Sequence, residues 1–291
     1  IPASRKTASI RAETSARWAS ASFGSTPSAF AIITAGAAAA FNCLVEKGID
    51  AKVVELGTEE QGAKLGMQDG RIFYYDVKKN WWSRAGAPAN MPEGEPGGPD
   101  SETFYDFGAE LQLHENSAFK AEPCHVNCDC GRFLEIGNSV FMKYRKTAGR
   151  FEPLKQQNVD FGGGLERILA AGENQRDIFK TAFFQPILSQ LSTLSGQDYD
   201  QSEQKASFRV IADHARSATF LTASGVFPEN VGRGYILRRL IRRAVRTSLK
   251  REPFLYKLAE KIMAMPQFDI YHGTLFSNPQ FVSGIIKAEE E

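Results

Sequence analysis

Four cysteines in 291 residues are too few for a disulfide scaffold, and three of them, Cys124, Cys128 and Cys130, crowd into seven residues. That usage favours a reducing, cytoplasmic compartment. No apolar run reaches the ~20 residues of a membrane span. The longest, Ala29 to Phe41, has about thirteen and is rich in Ala. The opening IPASRKTASIRAE has cations but no following apolar core with a small-residue cleavage site, so neither a secretory leader nor a membrane partner is expected. Net charge is only +1, so any strong charge patch must be local. What is present in quantity is ordinary: 42% hydrophobic and 24% charged residues, enough core for about two soluble domains. The chain starts at Ile1 and stops at Glu291 within a helical pattern, and both ends read as those of a piece of a longer protein.

Acids are missing from one stretch. Asn230 to Arg251, NVGRGYILRRLIRRAVRTSLKR, holds eight Arg and Lys and no Asp or Glu. On a helix, Arg238, Arg239, Arg242, Arg243, Arg246 and Lys250 fall within an arc of roughly 140°. Leu237, Leu240, Ile241, Ala244 and Val245 lie opposite. One face can bury while the other meets phosphates, which suits a folded polyanion such as RNA. The plainer alternative is a solvated helix face, although such faces usually mix both signs.

Residues 1–42 are rich in Ala, Ser, Thr and Arg, show no period and are left unassigned. Residues 43–175 are β-rich. AKVVEL, RIFYYDV, SETFYDFG, RFLEIGNSVFMKYRK and the run up to NVDFG alternate or cluster β-branched and aromatic residues. Consecutive strands with short turns predict an antiparallel sheet. Residues 176–291 carry helical spacing in TAFFQPILSQLSTLSG, KASFRVIADHARSATFLTAS, the basic segment and PFLYKLAEKIMAM. The expected class is α+β, an antiparallel-sheet domain followed by an all-α domain.

NVDFGGGLERIL, Asn158 to Leu169, reads as a strand, three glycines, then a helix. Gly162, Gly163 and Gly164 permit close approach of a ligand to the backbone, and the amides of a helix start favour an anion. Arg167 adds a planar cation matched to phosphate oxygens. Asp160 is placed to meet a cationic group, or else to cap a turn. The plain reading of the whole motif is a glycine-rich turn with a surface ion pair. His214 sits between Asp213 and Arg216 on a helix and reads as structural. CHVNCDC offers Cys124, Cys128 and Cys130 as thiolate ligands for Zn²⁺, with His125 inside and His114 nearby. The alternative is a reduced cysteine-rich turn.

DFGGGLER resembles motif 3 of the class II aminoacyl-tRNA synthetases. KNWWSRAGAPANMPEGEPGGPDSETFYD, FLEIGNSVFMKY and ADHARSATFLTASGVFPENVGRGYILRRLIRRAVR resemble, in order, segments of the alanyl-tRNA synthetase family. The resemblance covers roughly residues 45–291. It implies the C-terminal part of a class II catalytic core followed by a helical tRNA-binding domain. It implies activation of L-alanine by ATP with Mg²⁺, and transfer of the alanyl group to tRNA(Ala). Arg167 would hold the ATP tail with Gly162 and Gly164. Asp160 would pair with the α-ammonium of alanine, and Asn138 would orient the amino acid. Gly162 and Gly163 would leave space for a methyl-sized side chain and adenosine. Trp82 would wall the pocket, or serve only as core. Asn230 would read the acceptor-stem G·U pair, with Arg233, Arg238, Arg239, Arg242, Arg243 and Arg246 on the backbone.

The chain also departs from the family. Motifs 1 and 2 are not recognisable, so weak alanine activation by this piece alone is expected. The editing domain's His-x3-His and Cys-x3-His set is not found. Three glycines follow Phe161 where the family usually has Thr-Gly-Met-Gly, which could reshape the pocket floor. A non-catalytic RNA-binding remnant and a trans-editing relative are the alternatives, and oligomeric state is left open.

Overall fold

The computed structural model describes residues 52–247 and 252–291. Residues 1–51, which include the unassigned segment, and Lys250 of the basic stripe lie outside the described residues. The chain divides into two compact units between Arg176 and Asp177.

The first unit opens with β1 (Val53–Gly57), α1 (Glu59–Leu65) and β2 (Ile72–Tyr75). β1 and β2 pair in parallel, Val53 opposite Ile72. This corrects the expectation that AKVVEL and RIFYYDV join one antiparallel sheet. The cause is local. Thr58 accepts from the amide of Gln61, and the Gln61 side chain returns a bond to the Thr58 amide. That capping box starts a helix between the strands, and the helical crossover brings the second strand back parallel.

The main sheet is antiparallel. β5 (Phe133–Thr147) is its spine; β3 (Pro96–Gly97) and β4 (Asp100–Asp106) pair along one edge and β6 (Arg150–Gly163) along the other. Ala148 and Gly149, at φ 49° and 74°, make the two-residue turn from β5 to β6; this geometry matches the twist of a hairpin. Gly98 is required by crowding, because a Cβ there would lie 1.9 Å from the Phe141 carbonyl oxygen. Trp81 is buried, stacking on Tyr144 at 6.1 Å and meeting Phe151 edge-on at 5.3 Å. After Gly164 the chain enters α2 (Leu165–Gly172).

The described residues of the second unit form α3 (Gln185–Ser195), α4 (Lys205–Ala223), α5 (Gly232–Arg246), α6 (Leu255–Met263) and α7 (Pro279–Glu290). Their apolar stripes meet in one core in which Phe208, Ile211, Leu237, Ile241, Leu258 and Ile262 are fully buried. The Glu290 carboxylate accepts from the amides of Phe254 and Leu255, which caps α6.

Candidate active site

Register decides which side chains share a face of the sheet, because residues directly opposite each other project the same way. Asp100, Val140 and Asp160 form one row across β4, β5 and β6. Glu102, Asn138 and Gly162 form the next row on the same face. Between Thr103 and Phe104 the ladder shifts, so Ile136 has no partner and Phe104 lies opposite Glu135. This bulge turns Glu135 onto the face of Glu102 and Asn138.

α2 supplies the cation. Arg167 Nη1 donates to Glu135 Oε2 at 2.9 Å. A Cβ at Gly164 would fall 2.5 Å from Arg167 Nε, so glycine leaves room for the guanidinium. The face therefore gathers Asp160, Asn138, Gly162 and Arg167, which the sequence had singled out.

Hydrogen bonding there is incomplete in one direction. Asn138 Nδ2 donates to Asp100 Oδ2 at 2.8 Å. The buried acceptors Asp100 Oδ1 and Asn138 Oδ1 have no donor. Asp160 is exposed, and its Oδ1 accepts from the Phe161 amide. Burial pushes the Asp100 carboxyl up to about 6, opposed first by Asn138 and then by its own amide and Asn80. Burial, then the negative neighbours Asp100 and Glu135, push Glu102 up to about 7, with Lys79 and Arg167 opposing. The Asp100 and Asn138 end of the face therefore has acceptors in excess of donors, while its cation, Arg167, is engaged by Glu135.

Phe161 and Gly163 lie in the other parity, opposite Ser139 and Gly137. A Cβ at Gly163 would meet the Phe161 ring at 3.0 Å and Ile168 at 3.2 Å. Phe161, which with Gly163 departs from the family pattern, thus lies on the face opposite Asp160 and Gly162. Trp82 pairs by its backbone with Gly98 and is 37% exposed, while Trp81 takes the core position. Trp82, Arg84, Glu95 and Met142 border a cleft of about 480 Å³. Met142 follows Val140 along the same face of β5.

In the second unit α5 buries Leu237, Ile241 and Ala244 and leaves Arg233, Arg239, Arg242, Arg243 and Arg246 exposed. The stripe is not wholly free. Arg238 and Arg242 both donate to the Glu289 carboxylate of α7, at 3.1 and 2.9 Å, and Arg238 also donates to Asn230 Oδ1. Arg239 lies over the Tyr235 ring at 5.8 Å. His214 is buried, with Nδ1 at 3.1 Å from Asp213 Oδ2. Cys124, Cys128 and Cys130 converge with His114, whereas His125 bonds the Tyr75 hydroxyl at 2.9 Å.

Sequence reasoning missed Asp100, Glu102 and Glu135. The first two carried a signal, since acids two apart in a strand share a face. Glu135 had none, because its placement needs the bulge.

Comparison with known proteins shows the family. The family model described as tRNA synthetases class II (A) matches residues 58–291. The chain belongs to that family. Curated relatives include the alanine–tRNA ligase of Lawsonia intracellularis, 38% identical over 233 residues, or 78% of this chain and 24% of the relative. The alanine–tRNA ligase of Thermotoga maritima is 42% identical over 205 residues, covering 69% and 22%. That of Borrelia hermsii is 34% identical over 232 residues, covering 78% and 37%. The chain thus spans between 22% and 37% of the length of these relatives. The family resemblance read from the motifs is borne out. No helix among the described residues is long and apolar enough to cross a membrane.

Proposed function

We propose that the chain carries amino-acid activation and tRNA recognition for an alanine–tRNA ligase. The observation that supports this most is the pair of donorless buried acceptors, Asp100 Oδ1 and Asn138 Oδ1, on the face that also holds Asp160 and ends at Arg167. An α-ammonium has three donors and one positive charge, which match the unpartnered acceptors at the Asp100 and Asn138 end of the face. Asp160 takes that charge and Asn138 orients the amino acid. Trp82 walls the side-chain pocket, and Gly162, with the backbone of Gly163, leaves space for a methyl-sized side chain and adenosine. Arg167, with the backbone at Gly162 and Gly164, holds the ATP tail after release from Glu135. In the reaction the alanine carboxylate attacks the α-phosphorus of ATP, the bond to the bridging oxygen breaks, and pyrophosphate leaves with alanyl-adenylate formed. The terminal ribose hydroxyl of tRNA(Ala) then accepts the alanyl group. These residues contribute position and charge rather than proton transfer.

Class II chemistry implies Mg²⁺, and the residues present fit it. Glu102 and Glu135 share the face, and Glu102 is driven to retain its proton by burial and neighbouring negative charge. Those two carboxylates would hold the ion, which when bound neutralises charge on the phosphate oxygens.

The 177–291 unit is assigned the tRNA. Asn230 reads the acceptor-stem G·U pair through its minor-groove edge, and Arg233, Arg239, Arg243 and Arg246 hold phosphates. Arg238 and Arg242 join them only by exchanging Glu289 for phosphate.

A non-hydrolysable alanyl-adenylate analogue tests the catalytic reading by calorimetry. The chain is expected to bind it more tightly than the glycyl or seryl analogue, and Asp160→Asn and Arg167→Ala should each lose at least tenfold. Absence of binding, or binding indifferent to both substitutions, refutes it. Retained tRNA binding in that case would favour the non-catalytic remnant.

A further inference from the structure

Residues 108–131, between β4 and β5, contain a single 3-10 turn and no strand. A segment of that length needs a reason to be ordered. Apolar burial does not supply one. Its only buried residues are His114, His125, Cys128 and Cys130. At its base Arg132 grips Asp106 through two bonds of 2.7 Å. Farther out the segment closes on itself through four side chains.

Those four are His114, Cys124, Cys128 and Cys130, whose ligand atoms all lie within 4.8 Å of one another. The Cys124 and Cys130 sulfurs are 3.8 Å apart, and Cys128 Sγ is 3.5 Å from His114 Nδ1. A disulfide would bring the sulfurs to about 2.05 Å, and the three thiols are free. Ordinary tetrahedral zinc distances of about 2.3 Å to sulfur and 2.0–2.1 Å to nitrogen give S···S edges of roughly 3.8 Å and S···N edges of roughly 3.6 Å. The two close pairs match those edges. The outer nitrogen of the histidine is also set. His114 Nε2 lies 2.7 Å from the Glu122 carbonyl oxygen and donates to it, which leaves the Nδ1 lone pair facing the sulfurs. A carbonyl fixing the remote nitrogen is the usual arrangement behind a metal-bound histidine.

We propose that His114, Cys124, Cys128 and Cys130 form a closed, structural Zn²⁺ site that orders the 108–131 segment. Four protein ligands leave no position for water or substrate, so the ion does no chemistry. The aminoacylation reading plays no part in this inference. His125, although inside CHVNCDC, is not among the four converging side chains, and its Nδ1 bonds the Tyr75 hydroxyl. The fourth ligand is instead His114, ten residues before Cys124.

The full chain, expressed with zinc and purified under reducing conditions, is expected to contain one zinc per chain by elemental analysis. Cobalt exchanged into the site should show thiolate-to-metal charge transfer and the intense visible bands of tetrahedral cobalt. Cys128→Ser and His114→Ala should each lose the metal, and His125→Gln should retain it. If the ligand variants do not fold, wild-type protein stripped with a chelator gives the same answer. Limited proteolysis should then cut within 108–131, with protection restored by Zn²⁺ and not by Mg²⁺. Substoichiometric zinc, wild-type zinc content in Cys128→Ser, or identical cleavage with and without metal overturns the proposal.

Discussion

Replacing Asp100 by asparagine should strengthen the fold while weakening ligand binding. Asp100 is 3% exposed and satisfied on one oxygen only, by Asn138. Burial raises its carboxyl from an ordinary 3.8 to about 6. At about 1.4 kcal/mol per pKa unit, the ionised form destabilises the fold by up to about 3 kcal/mol. A carboxylate whose folded pKa is raised favours the folded state most below its unfolded value. That advantage disappears as pH rises through the folded value. The penalty is therefore absent below about pH 4 and complete above about pH 6. Asparagine keeps the shape, and its amide oxygen can still accept from Asn138. Asp100→Asn should thus gain up to about 3 kcal/mol at pH 8 and little at pH 4. Urea titration followed by tryptophan fluorescence measures this, because Trp81 and Trp82 lie in the sheet unit and Trp18→Phe removes the third reporter. The same variant should bind the alanyl-adenylate analogue at least tenfold more weakly. Equal stability at both pH values, or a loss at pH 8, would mean that the carboxylate is already satisfied and that the site needs no cation.

Three further outcomes follow from the same geometry. Mg²⁺ binding should release a proton from Glu102, so affinity should rise with pH up to about 7 and then level; calorimetry giving a flat profile from acid to alkaline pH would contradict the shared face. Gly98→Ala places a methyl against the Phe141 carbonyl and should lower stability by about 3 kcal/mol or more, read as a fall in thermal midpoint by circular dichroism. Glu289→Gln leaves Arg238 and Arg242 without their carboxylate, which should weaken the packing of α5 on α7. It should also steepen the salt dependence of tRNA binding by up to about two phosphate contacts, and an unchanged slope would place those arginines off the RNA.

Much of this architecture was legible before any coordinates. The alternation in SETFYDFG and FLEIGNSVFMKY set two neighbouring strands, and the spacing in ILRRLIRRAV correctly put Leu237, Ile241 and Ala244 inward. Three things were not legible. The direction of β2 depended on a capping box at Thr58 and Gln61, which is a weak signal beside two apolar runs. The parity of Glu135 depended on a bulge at Ile136, and hydrophobic alternation does not announce bulges. The neutralisation of Arg238 and Arg242 depended on Glu289, some fifty positions away, which no local charge count includes.

The charge on the sheet face constrains what can bind there, and in what company. Asp100, Glu102, Glu135 and Asp160 project from it, while Arg167 is held by Glu135 and Lys79 is paired with Glu59 at 3.1 Å. A bare triphosphate would meet more repulsion than attraction. On the proposed reading Glu102 and Glu135 would hold a divalent ion, and Arg167, released from Glu135, would be available to phosphate. The amino acid would bring its own cation to the Asp100, Asn138 and Asp160 end, where Asp100 Oδ1 and Asn138 Oδ1 stand without donors. On that reading metal and nucleotide would favour each other's binding by the same coupling energy. A bulge of one residue makes this coupling available: with Glu135 on the far face, Arg167 would lose its resting partner and the ion one of its carboxylates.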